Sequence, residues 1–388
     1  MSKNMKTAVM YGAGNIGRGF IGQVFHDSGY EVCFIDVDKD VVSSLNERNA
    51  YTQLIVDGED VTYREIANVR AVCGNDREAV AQEIASCDIM AISVGAAVLP
   101  HIAPIIADGL AARELPINIL ICENLAHAPD ILREYISEHL SNPSVLNNVG
   151  FVGATIGRMV PVVPAQQRTS DPTKIAVEPF CFLPLDKDAV VQPMPQLEHA
   201  ALCSPFAFEE GKKLYIHNMG HALSAYLGFL AGYTYIWQAV ENKSIRLQVS
   251  NAMLATAKAL ARKYDEDIDA LVAYVDDLLN RFENKGLGDR IDRVGGDPLR
   301  KLAPDDRLVG AVSLCKEQDH RYFHILIGIT SALRFNAPGD PSADLLQKQL
   351  AEKGVAVFLR DYCRLDEDDA QMCAAIYSVN QIEGLSGG

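Results

Sequence analysis

Short, continuous apolar runs punctuate the first 125 residues, at 7–11, 31–36, 88–95 and 117–122. Between them lie segments with helical spacing. Residues 15–28 form one, stopped by Gly29, and residues 41–49 another, with Val41, Val42 and Leu45 on its apolar face. Apolar runs bounded by turn residues and separated by helices predict a parallel, doubly wound sheet buried on both faces, and so an α/β fold. Residues 150–195 change character. Apolar segments at 151–161 and 174–185 are broken by Pro161, Pro164, Pro172, Pro179 and Pro184, which predicts extra strands and loops closing the first domain. The segment 192–205 carries three prolines and is the linker candidate, giving domains of 1–195 and 196–388. From about residue 206 the spacing is helical. Ile268, Leu271, Val272, Val275, Leu278, Leu279 and Phe282 make one apolar stripe, with Asp267 as its N-cap. Weaker helical patterns at 244–263, 307–316, 322–334 and 343–358 make the second domain mainly α-helical. The acidic run 366–369 reads as a solvated helix start.

Composition narrows the class. With 388 residues the chain is long enough for two domains with full cores. The net charge of −16 repels phosphate backbones, which excludes nucleic acid and anionic membrane as main partners while leaving room for a local basic pocket. The nine cysteines are scattered, odd in number and never spaced C-x-x-C. That predicts neither a disulfide framework nor a zinc ribbon, but a reducing cytoplasm. Residues 89–107 lack charge, yet Gly95, Pro100, His101 and Pro104 interrupt them. A buried strand followed by a helix fits them better than a membrane span. Lys3 and Lys6 precede only a short apolar run, which is not a signal peptide. No heptad or other assembly signal stands out, and a monomer is expected.

Gly12-Ala13-Gly14-Asn15-Ile16-Gly17 matches G-x-G-x-x-G between a strand and a helix. The first glycine permits the tight turn, the second lets backbone approach a pyrophosphate, and the third lets helix and strand pack closely. The next strand ends in Asp36, 19 positions past Gly17. A carboxylate there accepts both adenosine ribose hydroxyls and repels a 2′-phosphate, so the loop reads as an NAD site. Arg18-Gly19 in place of Lys-Ser/Thr excludes a P-loop. Ser93, Gly95, Glu123 and Asn124 follow strand ends, where topology puts them near the nicotinamide half of the cofactor. Ordinary loop polarity would place the same residue types there.

Hydride transfer needs a base for the alcohol proton. Lys213, Asn218 and His221 are the candidates. On a regular helix His221 lies roughly 80° and Asn218 roughly 140° round from Lys213, within one arc. Apolar neighbours such as Leu214, Ile216 and Leu223 would desolvate the lysine and lower its pKa. An exposed surface lysine is the competing reading. His217 and His221 are spaced as a metal pair, but no third ligand is in view, so no metal is expected.

These pieces together resemble the mannitol-1-phosphate 5-dehydrogenases of the long-chain polyol dehydrogenase family. The likeness runs from Tyr11 through Gly22, through Cys122-Glu123-Asn124, and through the K-x4-N-x2-H block from Lys213 to His221. It continues in the segments 225–228, 281–284, 293–295 and 297–302. The resemblance implies an N-terminal Rossmann domain, a mainly helical C-terminal domain, an active site between them and metal-independent chemistry. It implies reversible reduction of D-fructose 6-phosphate by NADH to D-mannitol 1-phosphate, with Lys213 as base. Asn124 and Asn218 would hold the reacting oxygen and His221 would bind substrate. Arg293, Arg300 and Lys301 are the candidate phosphate ligands. Two positions depart from the family pattern: Gly157 and Gly153 stand where aspartates are usual. Losing a buried carboxylate changes hydroxyl recognition, so a hexuronate reductase or another sugar-phosphate dehydrogenase is the alternative.

Overall fold

The computed structural model describes residues 5–125, 127–161 and 171–384. Pro164 lies outside the described residues. The chain divides into two compact units, Met1–Glu209 and Glu210–Gly388. The division falls later than the proline-rich segment suggests, because a strand inside that segment still pairs within the first unit.

The first unit contains β1 (Thr7–Tyr11), β2 (Glu31–Asp36), β3 (Ala50–Asp57), β4 (Asp60–Ala67), β5 (Val69–Cys73) and β6 (Ile89–Ile92). They are followed by β7 (Ile117–Ile121), β8 (Val149–Gly153), β9 (Ile175–Val177), β10 (Leu183–Asp186) and β11 (Ala200–Cys203). The main sheet has six strands in the order β5-β2-β1-β6-β7-β8. All its pairings are parallel. Both faces are buried, as the uninterrupted apolar runs predict. Along β1, Ala8 and Met10 enter one core while Val9 and Tyr11 enter the other. The strand order reverses beside β1, where Tyr11 pairs with Ile35 on one side and Ile92 on the other. That register sets the ends of β1, β2 and β6 side by side, where a doubly wound sheet takes its ligand.

The segment 151–161 does not begin an extra strand, because β8 is the sixth strand of the main sheet. The added layer comes from the antiparallel hairpin β3–β4, turning at Gly58, with β9 parallel to β3.

In the second unit the 22-residue helix Lys243–Tyr264 is central. It packs against the helices Ile268–Phe282, Met219–Leu230 and Val309–Glu317. The Asp267 side chain caps Ile268–Phe282 as predicted, accepting from the Asp269 N–H. The buried stripe of that helix is narrower than its sequence suggests. Leu271, Val275, Leu278, Leu279 and Phe282 are buried, but Val272 on the flank is 41% exposed. The predicted 343–358 helix is two helices, Pro341–Lys353 and Val355–Asp361, parted at Gly354 with φ +79°. The acidic start of the last helix is only partly solvated. Asp369 is buried, 2.5 Å from Lys316 Nζ, and accepts from the Tyr322 hydroxyl. No helix among the described residues is long and apolar enough to cross a membrane.

Candidate functional site

The glycine loop is shaped by two different needs. Gly12 has φ +102°, and a Cβ there would lie 2.2 Å from the Ser93 carbonyl oxygen. A Cβ on Gly17 would lie 1.9 Å from the Gly12 oxygen. The fold itself therefore requires both glycines. Gly14 is exposed, and a Cβ on it would meet no protein atom within 4 Å. Nothing among the described residues demands a glycine there, and the exposed backbone leaves room for a ligand to approach. Asp36 stands beside the loop. Its Oδ2 accepts from the Ala13 N–H at 2.7 Å and its Oδ1 from the Asp38 N–H at 3.0 Å. A carboxylate has about four acceptor positions, so both oxygens keep capacity for ribose hydroxyls. The residues after Asn15 and Ile16, Gly17–Ile21, form a π-helical turn closed by Gly22 N–H donating to Gly17 O. The buried Arg18 guanidinium anchors this turn to the Ala13 and Pro172 carbonyls. This geometry fits a dinucleotide, with the loop cradling phosphates and Asp36 facing a ribose.

Glu123 ties the neighbouring loops together. Its Oε1 accepts from Val94 N–H at 2.7 Å and Gly95 N–H at 3.0 Å. Burial raises its pKa, and the two N–H donors pull in the opposite direction. Glu123 thus shapes the loop after β6, whose Gly95 sits at φ +91°. Asn124 is exposed at the end of β7. Aromatic rings border Gly153 and Gly157, the two positions expected to depart from the family pattern. A Cβ on Gly153 would lie 2.8 Å from the Phe206 ring, and one on Gly157 would lie 3.2 Å from the Phe180 ring. Next to Gly157, the buried Arg158 guanidinium donates to the Gly19 and Glu178 carbonyls and to the Gln23 side chain.

In the second unit, Lys213 and Asn218 share a π-helical turn, Lys212–Asn218, that runs into the helix Met219–Leu230. Met219 N–H donates to Leu214 O, five residues back. A regular helix separates residues five apart by roughly 140°. The wider i→i+5 turn narrows that angle and brings Asn218 toward the face that carries Lys213. His221 follows one turn later. Its ring stacks on Phe282, with centroids 4.9 Å apart and planes 13° apart. His221 Nε2 lies 2.8 Å from Asp289 Oδ2. His217, 2% exposed, packs edge-on to Phe282. Burial, followed by the Lys213, Arg281 and His221 charges, holds its pKa well below the usual histidine value, so it is neutral. Sequence reasoning missed Asp289, Phe282 and the part played by His217. The apolar stripe that ends at Phe282 was the one available signal. Among the described residues, no group of three or more His, Cys, Asp or Glu could hold a metal ion.

The three candidate phosphate ligands differ in setting. Arg293, half exposed, pairs through Nη2 with Asp289 Oδ1. Arg300, also half exposed, pairs with Asp297 at 2.8 Å and Asp306 at 3.3 Å. Lys301 is 4% exposed and donates to the Gly296 carbonyl. Burial, then the Arg307 and Arg300 charges, pushes its ammonium down to about 7. Its pKa is lower folded than unfolded, so the fold binds fewer protons than the unfolded chain between these two values, and stability rises with pH there. The charge penalty is fully present below about pH 7. Lys301→Met removes it, at the cost of about 1 kcal/mol or more for the unpaired Gly296 oxygen. The variant is expected to melt above the parent near about pH 6.5 and below it near about pH 10, where the neutral amine still donates. Melting curves at both pH values check this, and an unchanged difference would contradict the burial argument.

The Mannitol dehydrogenase Rossmann domain family model matches residues 6–199, and the Mannitol dehydrogenase C-terminal domain model matches residues 206–376. Mannitol-1-phosphate 5-dehydrogenase of Shouchella clausii is 37% identical over 368 residues, 93% of this chain and 97% of that protein. The same-named protein of Bacillus licheniformis is 37% identical over 369 residues, covering 93% and 96%. Two solved structures share the fold. The crystal structure of a substrate-free D-sorbitol dehydrogenase aligns with a TM-score of 0.78 at 16% identity, covering 99% of this chain and 97% of that one. The ternary complex of Pseudomonas fluorescens mannitol 2-dehydrogenase with NAD and D-mannitol aligns with a TM-score of 0.71 at 15% identity, covering 99% and 94%.

Proposed function

We propose that this chain, which belongs to the mannitol dehydrogenase family, is an NAD-dependent oxidoreductase that interconverts D-fructose 6-phosphate and D-mannitol 1-phosphate. The observation that carries the reading is the π-helical turn that holds Lys213 and Asn218 together and brings Asn218 toward the Lys213 face. It is supported by near-full-length likeness to two mannitol-1-phosphate 5-dehydrogenases.

The nicotinamide, when bound, supplies or accepts the hydride. Gly14 leaves room for the pyrophosphate, and Asp36 binds the adenosine ribose and disfavours a 2′-phosphate. Lys213 takes the carbinol proton on oxidation and returns it on reduction. Asn124 and Asn218 donate to the oxygen as negative charge develops on it. His221 orients the substrate. Arg293 and Arg300 keep guanidinium N–H groups beyond those their carboxylates engage and form the phosphate set, from which burial against the Gly296 carbonyl removes Lys301. No two of the nine cysteines form a disulfide, which suits a reducing cytoplasm.

The test follows NADH absorbance with fructose 6-phosphate, fructose, fructuronate and tagaturonate in parallel. Rapid oxidation by fructose 6-phosphate alone is expected. Turnover of a hexuronate instead would move the substrate and keep the hydride chemistry. It would direct attention to Gly153 and Gly157, where rings border the positions of the family's carboxylates. No turnover with any of the four, with NADH still bound, would overturn the assignment.

A further inference from the structure

We propose that Asp289 is a positioning residue that holds the His221 ring with its proton on Nε2, leaving Nδ1 as the lone pair offered to a substrate hydroxyl. The proposal rests on the reading of His221 as a substrate-binding residue. Two contacts fix the ring. The Phe282 stack sets its plane, and the Asp289 carboxylate, 2.8 Å from Nε2, sets which ring nitrogen meets it. Asp289 is itself buried and clamped. Its carbonyl accepts from the Ile236 N–H at 2.9 Å, and the Ile291 N–H donates to Thr234 O at 2.9 Å. Burial raises its pKa, but His221 and Arg293 together outweigh that, so the group is an ionised carboxylate.

An ionised carboxylate is acceptor-only, and a bare Nε2 lone pair facing it would be repelled. Oδ2 lies off the axis of the N–H bond, which weakens the directed bond but not this repulsion. A neutral His221 ring therefore carries its proton on Nε2.

The other carboxylate oxygen makes the arrangement testable. Oδ1 accepts from Arg293, and a guanidinium can only donate. In Asp289→Asn the amide oxygen must stay on the Arg293 side, so the NH2 group turns to His221. An NH2 donor facing Nε2 forces the proton to Nδ1. The isosteric change should therefore invert the tautomer without moving the ring.

The tautomer is read by long-range 1H–15N NMR on histidine-labelled protein, at a pH where the ring is neutral, with His221→Gln identifying the resonances. The wild-type chain is expected to show Nε2–H. Nδ1–H in the wild type would overturn the proposal whether or not any variant folds. Asp289→Asn is expected to show Nδ1–H. It should also lose roughly 10- to 100-fold in kcat/KM for fructose 6-phosphate, with the KM for NADH unchanged. Folded Asp289→Asn that retains Nε2–H would equally overturn it. Adding Arg293→Ala frees the amide to rotate and should return the spectrum toward Nε2–H. That double variant is read by NMR alone, because Arg293 is a candidate substrate ligand. If the tautomers behave as stated but the wild-type chain turns over no ketose phosphate, Asp289 still sets the ring and the reading of the substrate is what fails.

Discussion

Lys213→Ala is expected to slow NADH-dependent reduction of fructose 6-phosphate by about 10²–10⁴-fold while leaving NADH affinity unchanged. The loss falls on the chemical step. The remaining amine of the turn, Lys212, lies over the Tyr274 ring, so the alkoxide formed as hydride arrives has no positioned proton donor, and the reverse reaction has no acceptor. Lys213→Arg should fail almost as fully, because a guanidinium does not release its proton near neutral pH. His217 does not substitute for it, being fully buried, with its ring packed on Phe282. NADH affinity is unaffected because the glycine loop and Asp36 belong to the first unit. Added methylamine should restore part of the rate in the alanine variant by supplying a free base where the side chain was removed. Steady-state rates and NADH fluorescence titrations on the same preparations check both parts. A folded Lys213→Ala enzyme within about tenfold of the parent would remove the lysine from the base role.

The sheet was legible because burial on two faces writes continuous apolar runs, and β1, β2, β6 and β7 are such runs. The hairpin β3–β4 was not. Most of β4 is exposed, so its positions carry no apolar stripe, and its pairing is set by tertiary contact. The glycine loop and Asp36 could be read because each rests on a short segment whose backbone demands are local. The π-helical turn that carries Lys213 and Asn218 could not be read from a 3.6-residue period, since one inserted residue in the helix undoes that arithmetic. Asp289 reaches His221 only through the return of a distant loop held by residues 234–236. Arg300 and Lys301 show the same limit in charge. Adjacent basic residues look alike in sequence, yet the chain turns one to the surface and buries the other.

Gly12→Ala is expected to abolish measurable NADH binding and to destabilise the first unit by roughly 3–5 kcal/mol. Two costs add. A side chain at φ +102° is strained, and its Cβ would sit 2.2 Å from the Ser93 oxygen and 3.3 Å from Val94 Cγ1. The Ser93 backbone cannot step aside cheaply, because its N–H is bonded to Tyr11 O at 2.9 Å. The loop must move off the end of β1, and the phosphate cradle moves with it. Gly14→Ala separates the needs of the fold from those of the ligand. Its Cβ meets no protein atom within 4 Å, and its backbone is not in the left-handed region. The melting temperature should therefore stay within about 1 °C of the parent. Affinity for NADH should still fall roughly 10- to 100-fold, because the new methyl group occupies the approach of the pyrophosphate. Thermal melts and NADH titrations of the two variants give opposite patterns if the loop is a cofactor cradle. Gly14→Ala binding NADH as tightly as the parent would mean that the cofactor does not approach the backbone there, and the nucleotide assignment of the loop would fall.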